Sequence, residues 1–228
     1  RLSPLLAEVK AQLQSLSDEL AKVGFDDAHE ATLRNLTNEV VKTSEIEGEH
    51  LDPDLVRSSI ASKLGLSDGG VSKNARSVEG IVSVVLDATQ NCFDPLDEKR
   101  LFGWHSALFP SGFSDLAEII VGNWRDDSKG PMEVVSGRYG NKKVHFQAPE
   151  HIRLPKEMQK FLEWFNTTSD TDIILKAGVA HFWFVTIHPF ADGNGRIARA
   201  IADLVLAQAD GRKQRYYSMS TRIKLDQK

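Results

Sequence analysis

Apolar residues recur at spacings of three and four over most of this chain, the period of a helix with one buried face. Leu5, Leu6, Val9, Leu13, Leu16 and Leu20 predict a helix across about 2–22, stopped by Gly24. Leu33, Leu36, Val40 and Ile46 predict a second over about 28–47, ended by Gly48, where glycine relieves the left-handed backbone that follows many helices. Its last turn carries the acidic run Glu45, Glu47 and Glu49. Asp52-Pro53 reads as a cap and first helical position for a helix through Leu55, Val56, Ile60 and Leu64, followed by a loop at 65–70. Further helices are predicted at about 73–91, 97–109, 150–166, 171–187 and 194–209. The stretch 121–148 differs, because Gly122, Gly130, Gly137 and Gly140 separate short extended runs at Met132–Val135 and Val144–Phe146. That pattern predicts a β-hairpin over about 131–147, turning at Gly137–Asn141. The expected fold is mainly α with one hairpin, and helix 171–187 (IILKAGVAHFWFVTI), apolar nearly all round, is expected at its buried centre.

Composition changes this picture little. The chain has 228 residues, 41% hydrophobic and 26% charged, enough for one sizeable core or a core with a small appendage. A net charge of -4 argues against non-specific binding to nucleic acid or anionic membranes. The lone Cys92 excludes an internal disulfide, shows no metal-ligand spacing and reads as a packed thiol in a reducing compartment. No apolar run has the length of a membrane span and no secretory signal opens the chain, so a cytoplasmic protein is expected. The chain starts at Arg1 rather than Met and is expected to be part of a longer protein.

Chemistry concentrates in residues 188–199. Pro189 disfavours helical geometry at His188, which places the imidazole in a turn facing a cleft. Gly193-Asn194-Gly195 opens the next helix, where backbone N–H groups and the positive end of the helix dipole suit a phosphate. Asp192 offers a hard oxygen ligand for Mg²⁺, which commonly binds one or two carboxylates together with substrate phosphates. Arg196 and Arg199, three apart, share a helix face and can hold further phosphate oxygens. Each has an ordinary structural reading alone: a core histidine, a helix cap, a surface ion pair. Together they set a base, a metal ligand and a cation clamp around one anion cradle.

These residues resemble the signature of the Fic family, His-x-Phe-x-Asp/Glu-Gly-Asn-Gly-Arg-x-x-Arg, with every fixed position filled from His188 to Arg199. Asn123-Trp124-Arg125, Met132-Glu133-Val134-Val135 and His145-Phe146-Gln147-Ala148-Pro149 resemble the segment before that signature. The resemblance implies a Fic-type helical bundle with one hairpin flap. It implies His188 as general base, Asp192 as Mg²⁺ ligand, and Gly193, Asn194, Gly195, Arg196 and Arg199 around the phosphates of ATP. Met132, Glu133, Val134 and Val135 would pair with a target's backbone. The implied reaction is AMPylation, transfer of AMP to a Ser, Thr or Tyr hydroxyl of a protein, the chain itself being one candidate target and a second copy a candidate partner.

Thr43-Ser44-Glu45-Ile46-Glu47-Gly48 is similar to the family's inhibitory motif, Ser/Thr-x-x-x-Glu-Gly/Asn, which implies auto-inhibition through Glu47 paired with Arg199. The implied organisation is 1–70 as N-terminal helices, including the inhibitory helix at about 28–48, and 71–228 as the Fic core. Arg212-Lys213-Gln214-Arg215 reads as a solvated turn. Nothing after it matches the helix that lines the base pocket in relatives, which leaves base specificity open. A hydrolase removing AMP at the same site and a module sensing nucleotide without turnover remain the alternatives.

Overall fold

The computed structural model describes residues 3–20, 25–66, 76–136, 143–167, 170–210 and 217–227. The expected helix stop at Gly24, most of the loop at 65–70, the helix start at 73, the hairpin turn at Gly137–Asn141 and the basic run Arg212–Arg215 lie outside the described residues.

Aspartates start three of the helices. Asp52 accepts the Asp54 N–H at 2.9 Å, Asp97 the Arg100 N–H at 2.7 Å and Asp172 the Ile174 N–H at 3.0 Å. Each satisfies an N–H with no partner inside its helix, worth about 1 kcal/mol. The helices run in the order α1 Ser3–Leu20, α2 Phe25–Ile46, α3 Pro53–Lys63, α4 Arg76–Gln90, α5 Glu98–Leu108, α6 Leu154–Thr167, α7 Ile173–Ile187, α8 Asn194–Asp210 and α9 Met219–Asp226. Between α5 and α6 lie two antiparallel two-stranded sheets, β1 Phe113–Ser114 with β2 Ala117–Glu118 and β3 Glu133–Ser136 with β4 Lys143–Gln147. A 3-10 turn at His151–Arg153 leads into α6. The fold is mainly α, as expected.

The structure adds two elements and corrects one expectation. A second small sheet accompanies the expected hairpin, its two-residue strands being too short to leave a periodic signal. α9 follows α8, started by the Ser218 side chain on the Thr221 N–H at 3.0 Å and docked on α2, where Glu39 accepts the Ser218 hydroxyl at 2.7 Å and the Ser220 N–H at 3.1 Å. And α8, not α7, is the central helix: Ile197, Ala198, Ile201, Ala202, Leu204 and Val205 are all 0% exposed. α7 packs on α8 through Ala177, Ala180, Phe184 and Ile187 and leaves Val179 and Phe182 facing out. Apolarity on every side permitted burial of α7, but neighbours cover one face only.

Two clusters of buried side chains meet at α4. Val84 and Ala88 join the larger, with Leu101, Trp104, Leu154, Phe161, Phe184, Phe190 and the α8 residues. Val78, Ile81, Val82 and Val85 join the smaller, with Leu33, Leu36 and Val40 of α2 and Val56 and Ile60 of α3. α4 therefore ties the α2–α3 pair to the body that carries residues 188–199. At Gly80, α4 touches α5 backbone to backbone, since a Cβ there would lie 2.0 Å from the Ala107 carbonyl oxygen. Cys92 is buried, as expected of a packed thiol.

Candidate active site

His188 ends α7 in the left-handed region, with φ 52 and ψ 59. A non-glycine residue there costs on the order of 1–2 kcal/mol, held by the surroundings. Its N–H donates to Phe184 O at 3.0 Å, and Nδ1 lies 3.2 Å from Val185 O. A carbonyl only accepts, so Nδ1 carries the proton and Nε2 keeps its lone pair. Burial pushes the imidazole below the usual histidine range. Arg125 acts in the same direction, against the Val185 carbonyl, Asp192 and Glu47. The result is a neutral imidazole at neutral pH with Nε2 able to take a proton.

Phe190 anchors the turn that follows, fully buried against Trp124 and stacked on His105 with ring centroids 4.2 Å apart. Asn194 closes it: its amide nitrogen donates to Phe190 O at 2.8 Å and its amide oxygen accepts the Phe190 N–H at 2.9 Å. Its side chain is thus committed to the turn, and what it presents to a ligand is its backbone N–H. The first bond of α8 runs from Ile197 N–H to Gly193 O at 3.0 Å, so the N–H groups of Asn194, Gly195 and Arg196 precede it. Gly193 has φ +78, and a Cβ on it would lie 2.8 Å from the Phe109 ring. Only glycine meets both demands.

A carboxylate sits in this cradle. A Cβ on Gly195 would lie 2.1 Å from Glu47 Oε1, and the same oxygen accepts from Arg199 Nη2 at 2.7 Å. Arg199 is 4% exposed and also donates from Nε to the Thr43 hydroxyl at 2.6 Å and from Nη2 to the Thr43 carbonyl at 3.0 Å. Gly48, φ +86, turns the chain directly after Glu47. Arg196 lies over the Phe109 ring at 5.0 Å and donates to Glu49 Oε1 at 2.7 Å. Both arginines at the start of α8 are therefore paired with carboxylates that lie just past the end of α2 at Ile46, not in its last turn as expected, and Glu45, the member of that acidic run inside the helix, pairs with Lys42 at 2.8 Å.

Residues 95–206 match the family model described as Fic/DOC family. This stretch belongs to the Fic family. Residues 1–66 match a second family model, Domain of unknown function (DUF4172). Among curated relatives, Protein adenylyltransferase fic-1 of Caenorhabditis briggsae is 24% identical over 216 residues, covering 92% of this chain and 40% of that protein. The chain thus spans less than half of that relative's length. Among solved structures, a Fic domain containing signaling protein from Bacteroides thetaiotaomicron superposes with TM-score 0.66 at 21% identity, over 87% of this chain and 72% of that one. A Fic family protein from Desulfovibrio desulfuricans gives TM-score 0.64 at 23% identity, over 98% and 61%. These two likenesses concern the fold.

Met132, at the base of the hairpin, and Asp192 line one cleft. Val134 faces Phe146 and Val135 faces Val144, with a register shift between them that leaves His145 over, its Nε2 2.6 Å from the Ser136 hydroxyl. Val134, Val135, Val144 and Phe146 are all exposed, while Glu133 and Met132 are partly covered. Met132 O accepts the Ala148 N–H at 2.9 Å and closes the hairpin's base. Asp192 Oδ1 accepts the Gly193 N–H at 2.5 Å and Oδ2 accepts the Ser114 hydroxyl, beside a cleft of about 700 Å³ that runs along β1–β2 to Lys129 and Met132. Among the described residues no three His, Cys, Asp or Glu side chains converge to hold a metal.

Two residues of the site carried no recognisable local signal. His105 of α5 is fully buried. Its Nδ1 accepts the Gly122 N–H at 3.1 Å, so Nε2 carries the proton and donates to Asp192 O at 3.2 Å. Burial lowers its pKa to about 4, which keeps it neutral, against the pull of the Asp192 carbonyl and charge. Ser114 meets Asp192 from a strand the periodicity does not show.

Proposed function

We propose that this chain is a self-inhibited, Mg²⁺-dependent protein adenylyltransferase, moving AMP from ATP to a Ser, Thr or Tyr hydroxyl. The carrying observation is the Glu47 carboxylate over Gly195, an anion already lodged at the N-terminus of α8 and paired with Arg199. A carboxylate seated against Gly195 and paired with Arg199 marks a place where phosphate oxygens would meet the same arginine and the open N–H groups of the helix start. With Glu47 in place, a nucleotide's terminal phosphate has lost that part of the cradle.

In the reaction, His188 Nε2 takes the proton of the target hydroxyl as its oxygen attacks the α-phosphorus. The bond from that phosphorus to the bridging oxygen breaks, and pyrophosphate leaves with the electron pair. The N–H groups of 194–196, Arg196 and Arg199 hold the phosphates in line, and the β3–β4 hairpin presents the hydroxyl through target backbone. Asp192 suits Mg²⁺: a half-buried carboxylate facing a cleft, with too few neighbouring protein ligands to bind a cation without substrate oxygens. Bound there, Mg²⁺ would neutralise charge developing on the leaving phosphates.

Wild type, Glu47→Gly and Glu47→Gly/His188→Ala proteins incubated with Mg²⁺ and α-labelled ATP test the reading by intact mass. Self-modification by AMP in the single variant, and none in the double, is the expected result. A single variant no better than wild type would remove Glu47 as the brake or ATP as the donor. Unlabelled protein that still binds ATP would favour a nucleotide-sensing module. Glu47 Oε2 makes no hydrogen bond among the described residues, which favours a second reading on the same site, a hydrolase in which that oxygen orients water. Loss of AMP from modified protein on adding wild type, but not Glu47→Gly, supports it.

A further inference from the structure

Arg125 touches neither the phosphate cradle nor the inhibitory helix, yet it is 4% exposed and fully engaged. Its backbone N–H donates to Pro189 O at 2.9 Å and its Nε to His188 O at 2.8 Å, so two successive carbonyls of the turn after α7 are held by one residue. From the other side of the guanidinium, Nη2 donates to Pro149 O at 2.6 Å, immediately after the N–H of Ala148 that closes the hairpin's base. Nη1 pairs with Asp127 at 2.6 Å, and the second oxygen of Asp127 takes the His151 N–H at 2.8 Å. One side chain therefore joins the exit of β4 to the residue held in left-handed backbone.

We infer that Arg125 is a positioning residue that fixes the β3–β4 hairpin relative to His188, so that a hydroxyl delivered along the hairpin arrives at Nε2. This rests on the transferase reading for the roles of hairpin and base. The arrangement needs arginine: three acceptors in three directions match a planar fork, whereas a lysine ammonium on a flexible stem reaches one or two. The carbonyl of His188 is what a left-handed residue must point somewhere, and Arg125 Nε gives it a charged donor. Misplacement of a reacting group by about 1 Å costs on the order of 100-fold in rate. A loosened clamp therefore acts on turnover, and the cradle at 193–199, built from other residues, keeps its affinity for nucleotide.

The test uses Arg125→Lys and Asp127→Asn in the Glu47→Gly protein, with two readouts. The first is the self-labelling rate at saturating ATP against the KM for ATP. The second is amide hydrogen exchange across 132–148 compared with α8. The expected result for Arg125→Lys is a labelling rate lower by about 10- to 100-fold with KM for ATP within twofold, and faster exchange in the hairpin with α8 unchanged. Asp127→Asn, which leaves the bonds to His188 and Pro149 in place, should move both readouts the same way and less. Unchanged hairpin exchange in Arg125→Lys overturns the clamp. So does a loss of ATP affinity and α8 protection in step with the rate, which would mark Arg125 as general scaffolding. If Glu47→Gly transfers no AMP at all, the transferase reading fails while the exchange comparison still decides whether Arg125 fixes the hairpin.

Discussion

The two sides of the cleft are finished to different degrees. On the side of the α8 N-terminus, most buried polar side chains are engaged, Arg196 Nε being an exception: Asn194 closes on Phe190, Arg199 on Thr43 and Glu47, His105 on Gly122 and Asp192. On the side of the β3–β4 hairpin, four apolar side chains face solvent and the strands make only one ladder between them. On the transferase proposal, the difference matches what each side would receive. A triphosphate is the same object every time, and a rigid cradle binds it without paying for rearrangement. A protein segment supplies backbone and surface of its own, so a two-stranded sheet can leave its outer edge to be completed by the partner.

The largest effect that would sharpen this contrast is loss of the base. His188→Ala in the Glu47→Gly protein should cut AMP labelling by about 100- to 10,000-fold while ATP affinity by calorimetry stays within twofold. Next is the response to acid. The folded pKa of His105 is about 4 against an ordinary 6.5, so below pH 6.5 the unfolded chain binds the proton that the folded chain refuses. Its contribution is present above pH 6.5 and is lost as pH falls toward 4, amounting to about 3 kcal/mol at most. Urea unfolding at pH 7 and 4.5 should show a steep drop in the wild type and a shallower one in His105→Gln. An equal drop in both would place the acid sensitivity elsewhere.

Gly195→Ala puts a methyl group where Glu47 Oε1 lies. Because Glu47 is flexible, the fold should survive and ATP affinity should fall at least tenfold, about 1.4 kcal/mol. Glu49→Gln tests the outer pair, whose glutamate is 48% exposed. An exposed pair is worth up to about 1 kcal/mol, so ATP should bind no more than about fivefold tighter, far short of Glu47→Gly. The smallest effect on stability belongs to the hairpin. Val134→Lys should change unfolding free energy by less than about 0.5 kcal/mol, yet slow labelling. A large stability loss there would mean the hairpin is core rather than an open edge.

Contiguous chemistry was the most legible part of the sequence. Residues 188–199 carry their own local logic, with a proline to break the helix, glycines to open the next and arginines three apart, and the structure brings them together with Glu47. The helices were equally plain where an aspartate cap met an apolar period, as at Asp52 and Asp97. What stayed hidden was assembled from a distance. His105 sits in an ordinary amphipathic helix and reaches Asp192 across 87 positions, and Arg125 reaches Pro149 and His188 across 24 and 63. A single polar residue has no period, so only the fold reveals its partners. α7 misled for a related reason: hydrophobicity states what a helix tolerates, and its neighbours decide which face is covered.

Gly80 gives the molecule a hidden dependency. It lets α4 lie directly on α5, and α5 carries His105 under Asp192 and leads into Phe109, which lies beneath Gly193 and Arg196. Any side chain at 80 would lift α5 and move the floor of the cradle. In a genetic screen, such a change would be scored as an active-site lesion although it lies far along the chain from every reacting group. A survey of inactive variants would then map the α4–α5 crossing as part of the catalytic apparatus.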